Sequence, residues 1–543
     1  MKNYQSFDAE IIIAGGGPVG FGLAIDLALR GVSVFLIERR KAIQPIPKGQ
    51  NLTQRTGEHF MRWGITKAIQ DASPIPRDFG NAGMTAYGTL LSGYHHDWFN
   101  RSSVAAFYAA ENERLPQYTT EEILRDRAAE IPNITIKTGW SFISYGEFEG
   151  GVKVEIEETE GSKKRTLTAR YLVGTDGANS AVRTAAGITQ TTDGHRRRMA
   201  LLVFHSTQLD EILKDFGGKT IFNALSKEMR GYWQFLGRVD LQGNWFFHAP
   251  VPPETEVDAF DFKALLYGAV GKSFEVDFDH VGLWDLRISV ANNYRSGRVF
   301  IAGDAAHSHP PYGGYGVNTG FEDARNLSWK LAAQIAGWAG DNLLESYSTE
   351  RKPVFESTRD DFIVRMINKD AEMVSRFDPD IDRDAFEAYW HKRAAGEDID
   401  VTQFLPNVSG SPIVFGPEGG VSSARGTHKH AAAAGFHLSP QKLSDDQCVF
   451  SLLGGQLLGD TFSLILIDQP DDVTSAFKKA ANELKVPLAI IECEMNAGLA
   501  LWEKRIILVR PDEFVAFASD TIVQDSQNEN VRYILKKAVG HSV

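Results

Sequence analysis

Cysteine is scarce in this chain. Cys448 and Cys493 are the two cysteines among 543 residues, so the sequence offers neither a CxxC pair nor a disulfide framework, and we expect a reducing compartment. The sequence also has no apolar signal core near its N-terminus and no apolar run long enough to span a bilayer. These absences predict a cytoplasmic protein without membrane contacts.

Basic residues are too few to balance the acidic ones. The net charge is −13 at pH 7, whereas nucleic-acid binding needs a clustered positive surface. The one basic cluster, 195–198, is short and is interpreted as a solvated loop, so we expect no nucleic-acid partner. We expect no metal site either, because the pair His95-His96 is typical of a surface loop. The length is sufficient for roughly two to four domains.

A dinucleotide-binding fingerprint opens the chain. An apolar strand at 10–14 is followed by Gly15-Gly-Gly-Pro-Val-Gly20, a helix, and a second strand that ends in Glu38. Gly15 permits a tight turn, Gly17 lets a pyrophosphate approach the backbone, and Gly20 lets the helix pack on the strand. Glu38 is placed to accept hydrogen bonds from ribose hydroxyls. The pattern alone does not choose between NAD and FAD. The predicted cofactor contacts in this region are Gly15, Gly17, Pro18, Val19, Gly20, Glu38 and Arg39.

The stretch Arg298–Gly320, RVFIAGDAAHSHPPYGGYGVNTG, predicts a second binding element. It contains a buried strand at 299–302, a Gly-Asp turn and a glycine-rich loop. A helix follows, for which Thr319 to Glu322 fit a capping box and which Gly337 ends. The backbone N–H groups of such a loop and the positive end of the helix dipole converge on one point. This point should bind a negatively charged group.

Three motifs together resemble one family. GGGPVG with Glu38, then GTDGANSAVR, then GDAAHSHPPYGGYGVNTG resemble the class A (single-component) FAD-dependent aromatic hydroxylases, the family of p-hydroxybenzoate hydroxylase and phenol hydroxylase. The likeness covers essentially the whole chain. It looks closest in pattern to 3-(3-hydroxyphenyl)propionate hydroxylases and polyketide hydroxylases.

The resemblance implies an α/β fold with three domains. A Rossmann-like FAD-binding domain would be interleaved with a β-rich substrate-binding domain, and a thioredoxin-like α/β domain without a redox cysteine pair would end the chain. The implied limits are 1–75, 100–185 and 285–400 for the FAD-binding domain, 76–99 and 186–284 for the substrate-binding domain, 401–445 for a connection, and 446–543 for the C-terminal domain.

The resemblance also implies which residues contact FAD. Glu38 would bind the adenosine ribose, Gln117 would lie near the ribityl or pyrophosphate part, and Asp304 would hold ribityl hydroxyls. Asp176 and Gly177 would lie behind the pyrophosphate, near the path of NADH or NADPH as co-substrate. The loop residues expected at the pyrimidine edge of the flavin are Gly314, Gly316, Val317 and Asn318.

The implied reaction is a monooxygenation that consumes NAD(P)H and O2. It would hydroxylate a small phenolic ring of the phenol, catechol or resorcinol type through a flavin hydroperoxide. Loop amides would stabilise the charge of reduced flavin without reorganisation, and a dry pocket would suppress premature loss of peroxide. Pro311 would line the substrate side of the flavin. The candidate catalytic residues are Pro311, Tyr232 and His248, and the candidate substrate contacts are Tyr232, Gln234, Pro311 and Tyr312.

Several alternatives remain open at this point. Tyr232 and Gln234 would share one face of a strand by period-2 alternation, yet each candidate could equally be a packed aromatic or a satisfied polar group. A larger polycyclic phenol or antibiotic would need the same chemistry in a bigger pocket. A flavin-dependent halogenase shares the first motif, but its Trp-x-Trp signature does not occur here. The C-terminal domain could be a homodimer contact, a cover for the active site, or neither.

Overall fold

The computed structural model of the protein describes residues 7–79, 82–98, 101–395, 401–444, 447–449, 458–522 and 527–542. The strands are β1 (Ile11–Ala14), β2 (Val34–Glu38), β3 (Asn51–Leu52), β4 (Ala82–Tyr87), β5 (His95–Trp98), β6 (Glu113–Arg114), β7 (Ile134–Thr138), β8 (Trp140–Phe148), β9 (Gly151–Glu158), β10 (Lys164–Ala169), β11 (Tyr171–Gly174), β12 (Gln190–His205), β13 (Lys219–Leu225), β14 (Gln234–Arg238), β15 (Asn244–Val251), β16 (Asp277–Ala291), β17 (Arg295–Ser296), β18 (Val299–Ile301), β19 (His307–Ser308), β20 (Phe404–Asn407), β21 (Ser423–Arg425), β22 (Lys442–Ser444), β23 (Gln447–Cys448), β24 (Phe462–Ile467), β25 (Leu488–Cys493), β26 (Ile506–Val509) and β27 (Val515–Ser519). The helices are α1 (Pro18–Leu29), α2 (Gln54–Trp63), α3 (Thr66–Asp71), α4 (Gln117–Ala129), α5 (Ala181–Ala185), α6 (Thr207–Ile212), α7 (Phe262–Val270), α8 (Gly316–Ala336), α9 (Asn342–Ser357), α10 (Arg365–Arg376), α11 (Arg383–Ala394), α12 (Asp471–Leu484) and α13 (Gln527–Ala538).

A six-stranded sheet organises the first domain, in the order β17-β18-β11-β1-β2-β7. All of its pairings are parallel except β17 with β18. The strand IIIA of β1 is buried along its whole length, as expected for a parallel strand covered on both faces. Helices α1 and α8 pack against each other beside this sheet. The carboxyl ends of β1, β2, β11 and β18 therefore meet at one edge.

An eight-stranded sheet forms a second unit, in the order β19-β16-β12-β15-β14-β13-β4-β5. Side chains alternate between its two faces because the strand period is two residues. Trp245, Phe247 and Leu236 lie in the core that also contains residues of α7. Leu201, Phe235 and His248 are cross-strand neighbours on the opposite face, because His248 is paired with both other residues. One face of the sheet is thus packed on a helix, and the other is available for a binding site.

The C-terminal unit is a four-stranded sheet in the order β25-β24-β26-β27, with α12 and α13 packed together. In β24, Leu464 and Leu466 belong to one hydrophobic core, and Ile465 and Ile467 belong to another. Both faces of this sheet are therefore covered. The predicted alternation of strands and helices after residue 452 is confirmed for the part of the unit that the structure describes.

The α/β fold class predicted from the sequence is confirmed, whereas the domain limits stay a prediction. One local prediction, the capping box, is wrong. Helix α8 begins at Gly316 with Tyr315 as its N-cap, because positive φ angles at Gly313 and Gly314 turn the chain earlier. Glu322 accepts hydrogen bonds from Arg55 and His59 of α2 and does not cap α8. The predicted helix end is confirmed, since Gly337 adopts the left-handed conformation.

No helix in the described ranges has both the length and the apolar character that a membrane span requires. Within the same ranges, no group of three or more histidine, cysteine or acidic side chains is arranged to hold a metal ion.

Buried ion pairs join the C-terminal unit to α8 and α9. The Arg510 guanidinium donates to both carboxylate oxygens of Glu350, at 2.8 and 2.9 Å, and both side chains are fully buried. Lys330 of α8 donates to Glu350 over 2.7 Å. Asp512 accepts hydrogen bonds from Trp329 and Arg510. Desolvation acts to raise the pKa of the Glu350 carboxyl, but the charges of Arg510 and Lys330 hold it below its ordinary value.

We predict that Arg510→Met lowers the free energy of unfolding by about 3–5 kcal/mol, because it removes the guanidinium that offsets the buried charges of Glu350 and Asp512. Urea unfolding followed by circular dichroism measures this loss. Lys67→Met is the control, since Lys67 and Asp71 form an exposed pair that contributes about 0–1 kcal/mol. Equal losses in the two variants would contradict a structural role for the network.

Candidate functional site

A cavity of about 950 Å³ lies between the six-stranded sheet and the eight-stranded sheet. It begins at the carboxyl ends of β1, β2 and β11 and continues to the open face of the eight-stranded sheet. The three sequence motifs meet along it, although they are far apart in the chain. The predicted site residues that line the cavity are Gly15, Gly17, Pro18, Val19, Glu38, Arg39, Gln117, Asp176, Gly177, His248, Asp304, Pro311, Gly314, Gly316 and Val317.

The turn between β1 and α1 needs its glycines for different reasons. Gly15 has a φ of 116°, and a Cβ there would lie 2.3 Å from the carbonyl oxygen of Thr175. A Cβ on Gly20 would lie 2.0 Å from the carbonyl oxygen of Gly15, so Gly20 permits close packing of α1. A Cβ on Gly17 would meet no protein atom within 4 Å. Gly17 therefore leaves open space in the cavity, whereas Gly20 lies outside its lining.

Glu38, at the end of β2, fixes the shape of this turn. Its two carboxylate oxygens accept hydrogen bonds from the backbone N–H groups of Gly16 at 2.7 Å and of Arg40 at 2.8 Å. The carboxylate has lone pairs left for a ligand. Glu38 lines the cavity, and its contact with a ribose stays a prediction.

Asp304 follows β18 in a short helical turn and exposes its carboxyl group to the cavity. Desolvation raises the pKa of this carboxyl above its ordinary value, and nearby His307 and Lys48 partly offset the rise. Desolvation lowers the pKa of Lys48, and the charge of Arg40 lowers it further. The cavity thus has an acidic and a basic side chain on its lining.

The loop before α8 presents backbone amides to the cavity. Gly313 and Gly314 have φ angles of 71° and 64°, and Cβ atoms there would collide with Tyr315 and Asn51. The N-cap of α8 makes no side-chain capping hydrogen bond, and the first amides of a helix have no intrahelical partner. Their N–H groups and the helix dipole favour negative charge at this point.

Two predicted cofactor contacts use their side chains within the protein. The Asn318 side chain donates to the carbonyl oxygens of Asn51 and Gly314, at 2.8 and 2.6 Å, and it does not line the cavity. It fastens the loop before α8 to β3. The Asp176 carboxylate accepts from the N–H groups of Ala181 and Val182 at the start of α5, at 2.7 and 3.1 Å. Asp176 still borders the cavity, so its predicted position near a pyrophosphate stays a prediction.

The far end of the cavity is apolar and aromatic. Leu201, Phe235, Phe246 and Trp284 line it beside His248. The His248 side chain is 9% exposed, and its Nδ1 atom has no hydrogen-bond partner among the described residues. Desolvation, helped by the charge of Lys48, lowers the pKa of His248 to about 4. The imidazole is therefore neutral at neutral pH.

Three predicted substrate contacts lie away from this wall. The expectation that Tyr232 and Gln234 share one strand face over the substrate is wrong, because β14 begins at Gln234 and its next residue, Phe235, lines the cavity. Tyr232 lies before the strand, with the Arg197 guanidinium 5.0 Å from its ring. The Tyr312 hydroxyl accepts from the backbone N–H of Trp233. Neither Tyr312 nor Tyr232 lines the cavity.

Sequence reasoning missed several lining residues. Phe246 was recoverable from the alternation in Asn244–Val251, where Trp245 and Phe247 lie in the core behind the sheet. No local pattern marks Arg114, which reaches the cavity from the short strand β6. The lining residues that were not predicted at the apolar end are Trp98, Arg114, Leu201, Ile221, Phe235, Phe246 and Trp284.

Comparison with known proteins gives a consistent result. A family model described as FAD binding domain matches residues 8–361. A Streptomyces halstedii protein named as a polyketide hydroxylase is 30% identical, over 97% of this chain and 96% of its own length. A 4-methyl-5-nitrocatechol 5-monooxygenase from a Burkholderia species is 27% identical over 97% of both chains. The solved structure of the rebeccamycin biosynthetic enzyme RebC with reduced flavin matches with a TM-score of 0.82, 26% identity, and coverage of 98% of this chain and 99% of that chain.

The residues at the cavity fit FAD. A pyrophosphate would need the open space that Gly17 leaves, a ribose would need an acceptor such as Glu38, and the electron-rich end of a flavin would need donors such as the amides at the start of α8. The Asp304 carboxylate is a further hydrogen-bond acceptor on the cavity lining. The individual contacts stay predictions, and two experiments test them.

The first prediction compares two alanine substitutions in the turn. Gly17→Ala should keep the fold, because its φ of −80° suits any residue and no protein atom is near, but it should weaken FAD binding at least tenfold by filling the space. Gly20→Ala should instead lower stability by about 1–3 kcal/mol through overpacking. Thermal unfolding and flavin fluorescence titration measure the two effects. A Gly17→Ala protein with normal FAD affinity would refute the assigned role.

The second prediction concerns Asp304→Ala, which removes the acceptor after β18. The purified variant should contain little FAD, whereas Asp304→Asn, which keeps one carbonyl acceptor, should keep more. Flavin absorbance relative to protein absorbance measures the occupancy. Asp71→Ala is the control, because Asp71 is an exposed partner of Lys67 far from the cavity lining. Full occupancy in Asp304→Ala would show that this carboxylate does not hold FAD.

Proposed function

The chain belongs to the FAD-dependent aromatic monooxygenases that share this FAD binding domain, and we propose that it hydroxylates a small phenolic ring of the phenol, catechol or resorcinol type with NADH or NADPH as the electron donor. The balanced reaction is ArH + O2 + NAD(P)H + H⁺ → ArOH + NAD(P)⁺ + H2O. One oxygen atom enters the ring and the other leaves as water.

One observation carries the proposal. A single continuous cavity has glycine turns, carboxylates and unpaired amides at one end and an apolar aromatic wall at the other. The first end suits a dinucleotide, and the second suits a flat aromatic ring. Pro311 and the loop before α8 lie on the same lining as Phe235 and Phe246. Cofactor and substrate would therefore be neighbours without a barrier of protein between them.

In this proposal the protein positions the cofactor and the ring, supplies polar groups that stabilise negative charge, and excludes water. Bound FAD supplies the redox chemistry with NAD(P)H and O2. The amides of Gly316 and Val317 would stabilise negative charge without reorganisation. The apolar wall keeps water away from the ring, which strengthens these electrostatic interactions.

His248 has a narrower role in this proposal than in the sequence prediction. Because its pKa is lowered to about 4, it is a weak proton acceptor at neutral pH. Its Nδ1, which has no partner in the described part of the chain, can instead form a hydrogen bond with a substrate group at the aromatic wall. We propose His248 as a positioning residue for the ring.

The size of the cavity favours a compact ring. Sites for a single drug-sized ligand measure about 300–1,000 Å³, and this cavity of about 950 Å³ would hold the dinucleotide as well as the substrate. A large polycyclic substrate remains the second candidate, because the Streptomyces halstedii relative is named for polyketides.

The test is to load the protein with FAD and measure NAD(P)H oxidation with a panel of phenols. We expect at least one single-ring phenol, catechol or resorcinol to raise the rate at least tenfold above background and to yield a product heavier by one oxygen atom. Gly17→Ala without FAD is the matched control. No stimulation by any phenol, single-ring or polycyclic, would refute the hydroxylase proposal, and stimulation by polycyclic phenols alone would favour the second candidate.

A further inference from the structure

Arg114 is a buried charge at the apolar end of the cavity. Its side chain lines the cavity together with Gln50 and Phe246, and the residue is 4% exposed. Arginine is seldom buried to this extent unless an acidic group pairs with it, because an unpaired charge in an apolar environment loses much solvation energy. The partners of Arg114 are therefore informative.

The guanidinium has neutral partners. Its Nη2 atom donates to Gln50 Oε1 at 3.3 Å and to the backbone oxygen of Arg238 at 3.0 Å. None of the residues that the structure describes forms a hydrogen bond with its Nε atom. Among the described residues no carboxylate forms an ion pair with Arg114, and the charge of Arg238 acts on it unfavourably. The positive charge on this side of the cavity is uncompensated within the part of the chain that the structure describes.

The charge of the adjacent Arg238, in contrast, is balanced by an acidic residue. Its guanidinium forms an ion pair with Asp210 and lies 4.2 Å from the centre of the Trp245 ring. Trp245 belongs to the core on the opposite face of the sheet. The two neighbouring arginines differ in their partners: Arg238 has an acidic partner, whereas Arg114 has none within the ranges that the structure describes.

The sheet leaves room for the guanidinium. A Cβ on Gly237 would lie 2.2 Å from the Phe246 ring and 3.0 Å from Arg114 Nη2. Any side chain at this position would displace the ring or the guanidinium. Glycine in β14 therefore lets Arg114 lie beside an aromatic wall residue.

We propose that Arg114 binds an anionic oxygen of the substrate, either a ring carboxylate or a phenolate. The proposal rests on the proposed function, because it assigns a charge to the aromatic substrate. A planar guanidinium matches the geometry of such oxygens and gives strong charge-assisted hydrogen bonds. His248 lies on the same wall, and its Nδ1, which no described residue contacts by a hydrogen bond, would bind a second polar group of the ring.

The position of Arg114 favours substrate over FAD as its ligand. The predicted FAD contacts Glu38, Asp176 and Asp304 lie at the carboxyl ends of the six-stranded sheet. Arg114 instead contacts β14 of the eight-stranded sheet through Arg238 and Gly237. Loss of Arg114 should accordingly change ligand preference and leave FAD affinity unchanged.

The experiment measures binding to the FAD-loaded protein without turnover. Benzoate and benzamide are a matched pair that differ in charge, as are 4-nitrophenol, titrated above its pKa, and 4-nitroanisole. Calorimetric titration gives a ratio of dissociation constants for each pair. We expect the wild type to prefer the anion in at least one pair, and Arg114→Met to reduce that preference about 10- to 100-fold. The pair that responds identifies the group as a carboxylate or a phenolate.

Two further variants make the result decisive. Arg114→Gln keeps polar contacts without the charge and should also lose the preference. Arg238→Met removes the same charge from the opposite face of the sheet and should keep it. An unchanged ratio in a flavin-loaded Arg114 variant, no anion preference in the wild type, or loss of FAD from both Arg114 variants would each overturn the proposal. Because no turnover is measured, this result is independent of the phenol panel.

Discussion

The buried ion pairs of helix α8 fix the geometry on which the cavity depends. The first amides of α8 have no hydrogen-bond partners within the helix, so other contacts must fix the position of this turn. Glu322 and Asp323 supply the restraint about one turn later. Glu322 accepts from Arg55 at 2.7 Å, and Asp323 accepts from Arg351 at 2.7 Å and from the backbone N–H of Gly303 at 3.0 Å. The amides can therefore face a ligand while the helix remains anchored.

This anchoring also joins elements that are distant in sequence. Asp323 contacts both Gly303 and His307, so the turn that carries Asp304 is fixed to the helix that carries the amides. On the other side, Asn318 fastens the loop to β3. A few buried polar side chains thereby fix the Asp304 turn and the loop before α8 relative to each other. Such networks are stable only when each member has its partners, which explains why so many charged residues of α8 are buried in pairs.

The sequence was informative where function depends on local backbone shape. The Gly15 turn, the carboxylate at the end of β2 and the glycine loop before α8 each lie within a few residues of a recognisable pattern, and all reach the cavity. The capping box failed because Thr319 and Glu322 match the pattern by spacing alone, while Gly313 and Gly314 determine where the helix begins.

The apolar end of the cavity was less predictable because it depends on strand register and long-range pairing. A one-residue slip in strand pairing exchanges the two faces of a strand, and the local sequence did not show that Phe235, and not Gln234, faces the cavity. Arg114 could not be found from local sequence at all. Its significance lies in the absence of an acidic partner among the described residues, and this absence becomes visible only after β6 and β14 are brought together.

The C-terminal unit acts on the cavity indirectly. Every described residue that lines the cavity lies at position 317 or earlier, so the described part of this unit supplies no group to the cavity lining. Its contacts are with the buried charges of α8: Glu513 pairs with Arg55 and Arg325. Arg55 in turn binds Glu322, one of the two carboxylates that anchor the helix. The unit therefore completes the charge balance that holds the start of α8 in place, and this role requires no redox cysteine pair.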